Sequence, residues 1–147
     1  MVNLALEGKR YPRTSSYLVG REKVREFAKA VMAAKESQDL SFAQSKGYAD
    51  LVVPPTFPVV IQEQSLKLVI TDPEAGLDFS RVVHGEQRFV YTRAIVAGDE
   101  LTSELSVASI KTLGGNQMIT FNTEIFDAQN QLVCTAISTL VVRGDNA

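Results

Sequence analysis

The chain has 147 residues, 45% of them hydrophobic and 22% charged, with a formal net charge of -2, the size and balance of one ordinary globular domain spanning 1–147. It carries no run of Lys and Arg, so nucleic acid and anionic membrane surfaces, which need clustered positive charge, are not expected partners. One cysteine, Cys134, and one histidine, His84, exclude an internal disulfide and a zinc site of the usual ligands, so a reducing compartment and no metal or cofactor are expected.

No apolar run approaches the ~18 residues of a membrane span, and Met1 to Arg10 lacks the apolar core of a signal peptide, so a cytoplasmic protein is expected. Ser16 to Val19 is a β-compatible run after Pro12, closed by Gly20, and predicts a short strand. Arg21 to Ala34 predicts an amphipathic helix, because Val24, Phe27, Ala28, Val31 and Met32 recur at helical spacing against charged neighbours. Lys35 to Lys46 reads as a loop with a helical turn around Ser41 to Ser45, ended by Gly47. Pro54 and Pro55 force extended backbone just before them, so the next helix begins after Pro55 with Thr56 as N-cap and Pro58 in its first turn. Phe57, Val59, Val60, Ile61, Leu66 and Leu68 then spread over more than one face. The spacing predicts a largely buried helix.

Thr71 to Gly76 is a turn, and from Val82 the period changes to two. Val83, Gln87, Phe89 and Tyr91 are expected on one face of the first long strand, and Leu101, Ser103, Leu105 and Val107 on one face of the second. Ile119, Phe121 and Ile125 mark the third, and Leu132 to Arg143 the fourth, with turns at Ala97–Asp99, Leu113–Asn116 and Asp127–Asn130. A meander following an apolar helix predicts an α+β hot-dog fold, an antiparallel sheet of about five strands wrapped around a central helix.

Gly47-Tyr48-Ala49-Asp50 with Pro54-Pro55-Thr56-Phe57, then Val83-His84-Gly85-Glu86-Gln87 and Ala97-Gly98-Asp99-Glu100-Leu101, resemble the N-terminal half of the MaoC-like (R)-specific 3-hydroxyacyl dehydratases and enoyl hydratases. The chain also resembles the non-catalytic subunit of actinobacterial heterodimeric 3-hydroxyacyl-ACP dehydratases. The working half of that family carries Asp-x-Asn-Pro-x-His before the central helix, and a backbone N–H at a Gly beginning the helix stabilises the thioester oxyanion. The ungapped register puts the Asp position on Met32, the Asn-Pro on Ala34-Lys35, the His on Ser37 and the Gly on Pro55, which has no N–H. A gap would bring Glu36 or Asp39 nearby instead.

The resemblance therefore implies an acyl-chain-binding, non-catalytic subunit of an (R)-specific 3-hydroxyacyl-ACP/CoA dehydratase of fatty-acid metabolism. Its partners would be a catalytic MaoC-like subunit, or a second copy as a homodimer, and an acyl-CoA or acyl-ACP thioester. The acyl group would lie against Pro55, Thr56, Phe57, Val60 and Tyr48. Two alternatives stay open: a stand-alone hydratase or thioesterase using His84, Glu63 or Glu86, and a structural or acyl-binding homodimer without catalysis. His84 is the one weak catalytic candidate, since no carboxylate or cysteine stands at motif spacing from it. Cys134, mid-strand among apolar residues, reads as a small core side chain, and Gly114-Gly115 as a hairpin turn.

Overall fold

The computed structural model describes residues 1–144. Three α-helices, α1 (Arg21–Ala30), α2 (Leu40–Ser45) and α3 (Pro58–Ile70), precede four long strands. With the short β1 (Tyr17–Leu18), the strands β2 (Val82–Tyr91), β3 (Glu100–Leu113), β4 (Asn116–Phe126) and β5 (Leu132–Val142) make one antiparallel sheet of order β1-β3-β4-β5-β2. Helix α3 packs against β3, β4 and β5, so the sheet curls around it as the periodicity predicts.

The buried stripe of α3 runs at four-residue spacing through Phe57, Ile61, Ser65 and Val69. Phe57 and Ile61 are fully buried, each stabilising the fold by about 1.5–3 kcal/mol on transfer grounds. Phe57 also meets Phe27 of α1 edge-on, ring centroids 5.3 Å apart. The polar members of the stripe are satisfied across the interface: Gln62 Nε2 donates to Ser138 Oγ at 2.9 Å, and the Ser65 and Ser103 hydroxyls bond at 2.5 Å. Opposite α3, Leu101, Leu105, Phe121, Ile119 and Ile125 face inward, the alternation read from the sequence.

Three expectations change. Helix α1 ends at Ala30, not Ala34: Met32 turns left-handed at φ 52° and the Ala33 amide bonds back to the Ala28 carbonyl at 2.8 Å, closing the helix end. Val31 and Met32, which continue the apolar spacing, are 42% and 90% exposed. Thr56 is not an N-cap, because Pro55–Phe57 forms a separate turn (Phe57 amide to Pro54 carbonyl, 2.9 Å) and α3 begins at Pro58 without a side-chain cap. The third is in β2, whose pairing slips between His84 and Glu86. A Cβ at Gly85 would stand 3.2 Å from Val141 Cγ2 and 3.3 Å from the Thr139 carbonyl oxygen, so glycine suits this bulge. The slip changes the phase, leaving Val83 exposed while Gln87, Phe89 and Tyr91 turn inward.

Residues 8–14 run beside β3 and exchange backbone hydrogen bonds with it, Tyr11 to Leu105 and Thr14 to Ser103 among them, each at 2.9 Å. That edge is covered. Strand β2 pairs only with β5, and its other edge has no strand beside it among the described residues.

Candidate functional site

The two prolines before α3 hold an extended segment whose neighbours are fixed by backbone bonds: the Val53 amide to the Ile95 carbonyl at 3.0 Å, and the Val52 amide to the Glu36 carbonyl at 3.1 Å. The second bond draws the 3-10 turn Lys35–Ser37 against the prolines. Between them lies a cleft of about 440 Å³, lined by Val31, Ala33, Ala34, Glu36, Ser37 and Val53–Thr56. Ser37 and Pro55, distant in sequence, thus share one cleft. The Tyr91 hydroxyl, at the end of β2, donates to the Pro55 carbonyl at 2.8 Å and pins the cleft wall to the sheet. Burial pushes the Tyr91 phenol pKa up, so the hydroxyl keeps its proton.

Chemically the cleft is sparse. Glu36 is the one ionisable side chain lining it among the described residues, and Met32, which the ungapped register sets against the family's Asp, points into solvent. Asp39 is occupied elsewhere, accepting from the Phe42 amide at 3.0 Å as the cap of α2. Pro55 and Pro58 have no N–H, and the Phe57 and Val59 amides are spent on the carbonyls of Pro54 and Thr56. Only the Thr56 amide is left unengaged in that turn among the described residues. Addition of water across a C2–C3 bond draws on an acid, a base and an oxyanion donor together; of these groups the cleft brings the Glu36 carboxyl and the unengaged Thr56 amide.

Of the residues expected to touch an acyl group, Pro55 and Thr56 line the cleft. Phe57 is fully buried behind it, Val60 packs half-buried on the core, and Tyr48, 38% exposed, is not part of the lining. An apolar spacing that covers several helix faces does not say which face meets a cleft. Pro54 belongs to the Pro54–Phe57 motif, whereas Val53 carries no signal of its own, and apolar helical spacing that continues to Met32 masks the turn at Ala33 and Ala34.

His84 lies elsewhere. Its Nε2 donates to the Glu86 carbonyl at 2.9 Å, and it borders a second, smaller cavity of about 120 Å³ between α3 and the β2–β5 pair, together with Glu63. Glu86 is exposed on β2 and does not line that cavity. Cys134 is buried, and burial pushes its thiol up to about 11, so it is a core side chain and not a nucleophile. At the mouth of the helical layer, Arg21 Nη2 donates to Asp50 Oδ2 at 2.8 Å and holds that carboxyl below its usual range, fixing the loop that carries Tyr48. Among the described residues no group of three or more His, Cys, Asp or Glu could hold a metal, and no helix is long and apolar enough to cross a membrane.

The sequence model of the family described as FAS1-like, dehydratase domain region, matches residues 5–136. A UPF0336 protein of Leifsonia xyli subsp. xyli is 59% identical over 145 residues, covering 98% of this chain and 97% of that protein. Among solved structures, the C-terminally truncated HadBC (3R-hydroxyacyl-ACP dehydratase) complex from Mycobacterium tuberculosis superposes with a TM-score of 0.81 at 28% identity, covering 92% of this chain and 96% of that one. A MaoC-like dehydratase gives a TM-score of 0.88 at 31% identity, with 97% of this chain covered but only 43% of that longer chain.

Proposed function

The chain belongs to the FAS1-like dehydratase-region family, and from that premise we propose that it is the non-catalytic, acyl-binding hot-dog subunit of a 3R-hydroxyacyl thioester dehydratase in fatty-acid metabolism. The observation that carries this reading is the cleft before α3. Ser37 stands where the resemblance puts the family's His, Met32 faces solvent, and Pro55 has no N–H to offer an oxyanion. What survives is shape: an apolar wall of Val53, Pro54, Pro55 and Thr56 that can hold an acyl group without transforming it. The catalytic Asp and His would come from a partner subunit. A hot-dog partner is supported by the likeness to a subunit of the HadBC complex, and by the uncovered β2 edge. A chain whose one thiol is buried and unpaired suits the cytoplasm.

Hydration of crotonyl-CoA by the purified chain, alone and mixed with a catalytic subunit carrying Asp-x-Asn-Pro-x-His, tests the proposal. The chain alone is expected to give no turnover above background, because the acid/base pair and the oxyanion donor each contribute about 10²-fold or more. The mixture is expected to be active. Turnover by the pure chain, abolished by His84→Ala, would establish the stand-alone enzyme instead.

A further inference from the structure

The cleft before α3 has an apolar wall, but one of its lining residues carries a hydroxyl that the fold does not use. Ser37 is 3% exposed, lines the cleft, and its Oγ has no hydrogen-bond partner among the described residues. Two other unpaired side-chain oxygens, Gln87 Oε1 and Thr123 Oγ1, are sealed from solvent. Ser37 Oγ is not sealed, and the surface it keeps opens on the cleft. A hydroxyl held largely out of water without a partner is costly, and such groups in native folds normally meet water or a ligand. Two further groups of the same lining are unspent. The Thr56 amide is unengaged, and the half-buried Glu36 side chain makes no ion pair or hydrogen bond among the described residues. The backbone around them is already fixed: the Ser37 amide donates to the Ala34 carbonyl at 3.1 Å, the Val52 amide to the Glu36 carbonyl, and the Tyr91 hydroxyl to the Pro55 carbonyl.

We infer that this cleft selects an aliphatic ligand bearing a neutral hydroxyl, with the Glu36 carboxylate accepting its proton and the Ser37 hydroxyl and Thr56 amide donating to its oxygen. The choice among oxygen groups follows from the signs present. A carboxylate would meet Glu36 as a like charge between the apolar walls of Val31, Val53 and Pro54, where repulsion is less screened than in bulk water. A carbonyl would accept from Ser37 and Thr56 and leave Glu36 without a donor. A hydroxyl both donates and accepts, so it serves both kinds of group. The cleft, at about 440 Å³, is of the size of small-molecule sites and takes the hydroxyl-bearing carbon with several carbons beside it. This selectivity deepens the proposed function and rests on it only for the natural ligand. There it favours a hydroxyacyl thioester over its enoyl counterpart, because dehydration removes the hydroxyl, so the cleft holds substrate in preference to product.

The test titrates the 15N-labelled chain with hexan-2-ol, hexan-2-one and hexanoate, which share a six-carbon chain and differ in the oxygen group. The Glu36, Ser37 and Thr56 amide resonances are expected to shift saturably with the alcohol, at concentrations about tenfold below those needed with the ketone or the acid. Ser37→Ala is expected to weaken alcohol and ketone alike, whereas Glu36→Gln removes most of the alcohol's advantage and strengthens hexanoate. The wild-type comparison decides the matter even if a variant does not fold. An equal response to alcohol and ketone, a stronger response to hexanoate, or no saturable response because water alone occupies the cleft, overturns the inference. A second arm measures binding of (R)-3-hydroxyhexanoyl-CoA, trans-2-hexenoyl-CoA and hexanoyl-CoA by calorimetry. Tighter binding of the hydroxy ester by about tenfold supports both readings. Alcohol that binds where no ester does would sink the proposed function and leave the selectivity standing. Esters that bind alike, with no preference for the alcohol, would sink the selectivity and leave acyl binding standing.

Discussion

Met32, which an ungapped register would set against the Asp of the family motif, is as informative in its backbone as in its side chain. At φ 52° it takes the left-handed position that closes α1, and its side chain is 90% exposed. Glycine is the usual residue there, since a Cβ in this region costs about 1–2 kcal/mol. Met32→Gly is therefore expected to stabilise the chain, by about 0.5–1 kcal/mol after glycine's greater unfolded-state entropy is counted. The urea midpoint measures it, and a lower midpoint would contradict the strain argument. Ser37, three residues past Ala34, shows the complementary case: it lines the cleft yet is buried to 3% exposure, and it brings only a neutral hydroxyl there.

Elements are held to one another by a few polar clamps whose titration can be followed. Asp72, just past the end of α3, accepts from Lys9 Nζ at 2.6 Å and from the Tyr11 hydroxyl at 2.7 Å, which ties the N-terminal segment to the helix it flanks. Lys9 first and Tyr11 second, with a backbone bond from Glu74, hold the Asp72 carboxyl down at about 2, below its ordinary 3.8. A carboxyl depressed in the folded state stabilises the fold above its unfolded pKa, and that contribution is lost as pH falls through the folded value. The clamp is thus expected to be intact above about pH 4 and to fail between about 4 and 2. Asp72→Asn should flatten the fall in denaturation midpoint over that window relative to the wild type; an unchanged slope would show that the clamp is not linked to folding. The bulge at Gly85 acts at the same scale, since one extra residue in β2 turns Gln87 toward α3.

Among the described residues, the molecule has one sheet edge closed and one open. Residues 8–14 cover β3, whereas β2 presents the ten residues of Val82–Tyr91, with Val83 and Val90 exposed by 45% and 52%. An unpaired edge of that length invites another chain. In the absence of a catalytic partner the purified chain is expected to self-associate as a dimer in sedimentation equilibrium at micromolar concentration, and a stable monomer would contradict it. Tyr91 joins this edge strand to the cleft through the Pro55 carbonyl, so pairing at β2 and the shape of the cleft wall are mechanically connected.

The amino-acid order by itself determined the elements whose signal is local. Alternation gave the inward faces of β3 and β4, and Gly47 marked the end of α2 with φ 90°. Those signals are local because they follow from side-chain period and from the sterics of single residues. Tertiary structure alone decided the rest. That α1 stops at Ala30 depends on the chain turning Ala33–Ser37 against the prolines, although the apolar spacing runs on. The phase of β2 depends on Gly85 meeting Val141 and Thr139 across the sheet, and which side of α3 is buried depends on where the sheet packs against it. The unpaired acceptor of Gln87 exists only because Ile137, fifty residues away in sequence, takes the other end of its amide. Each is a contact between distant segments, and local residue order carries no direct record of such a contact.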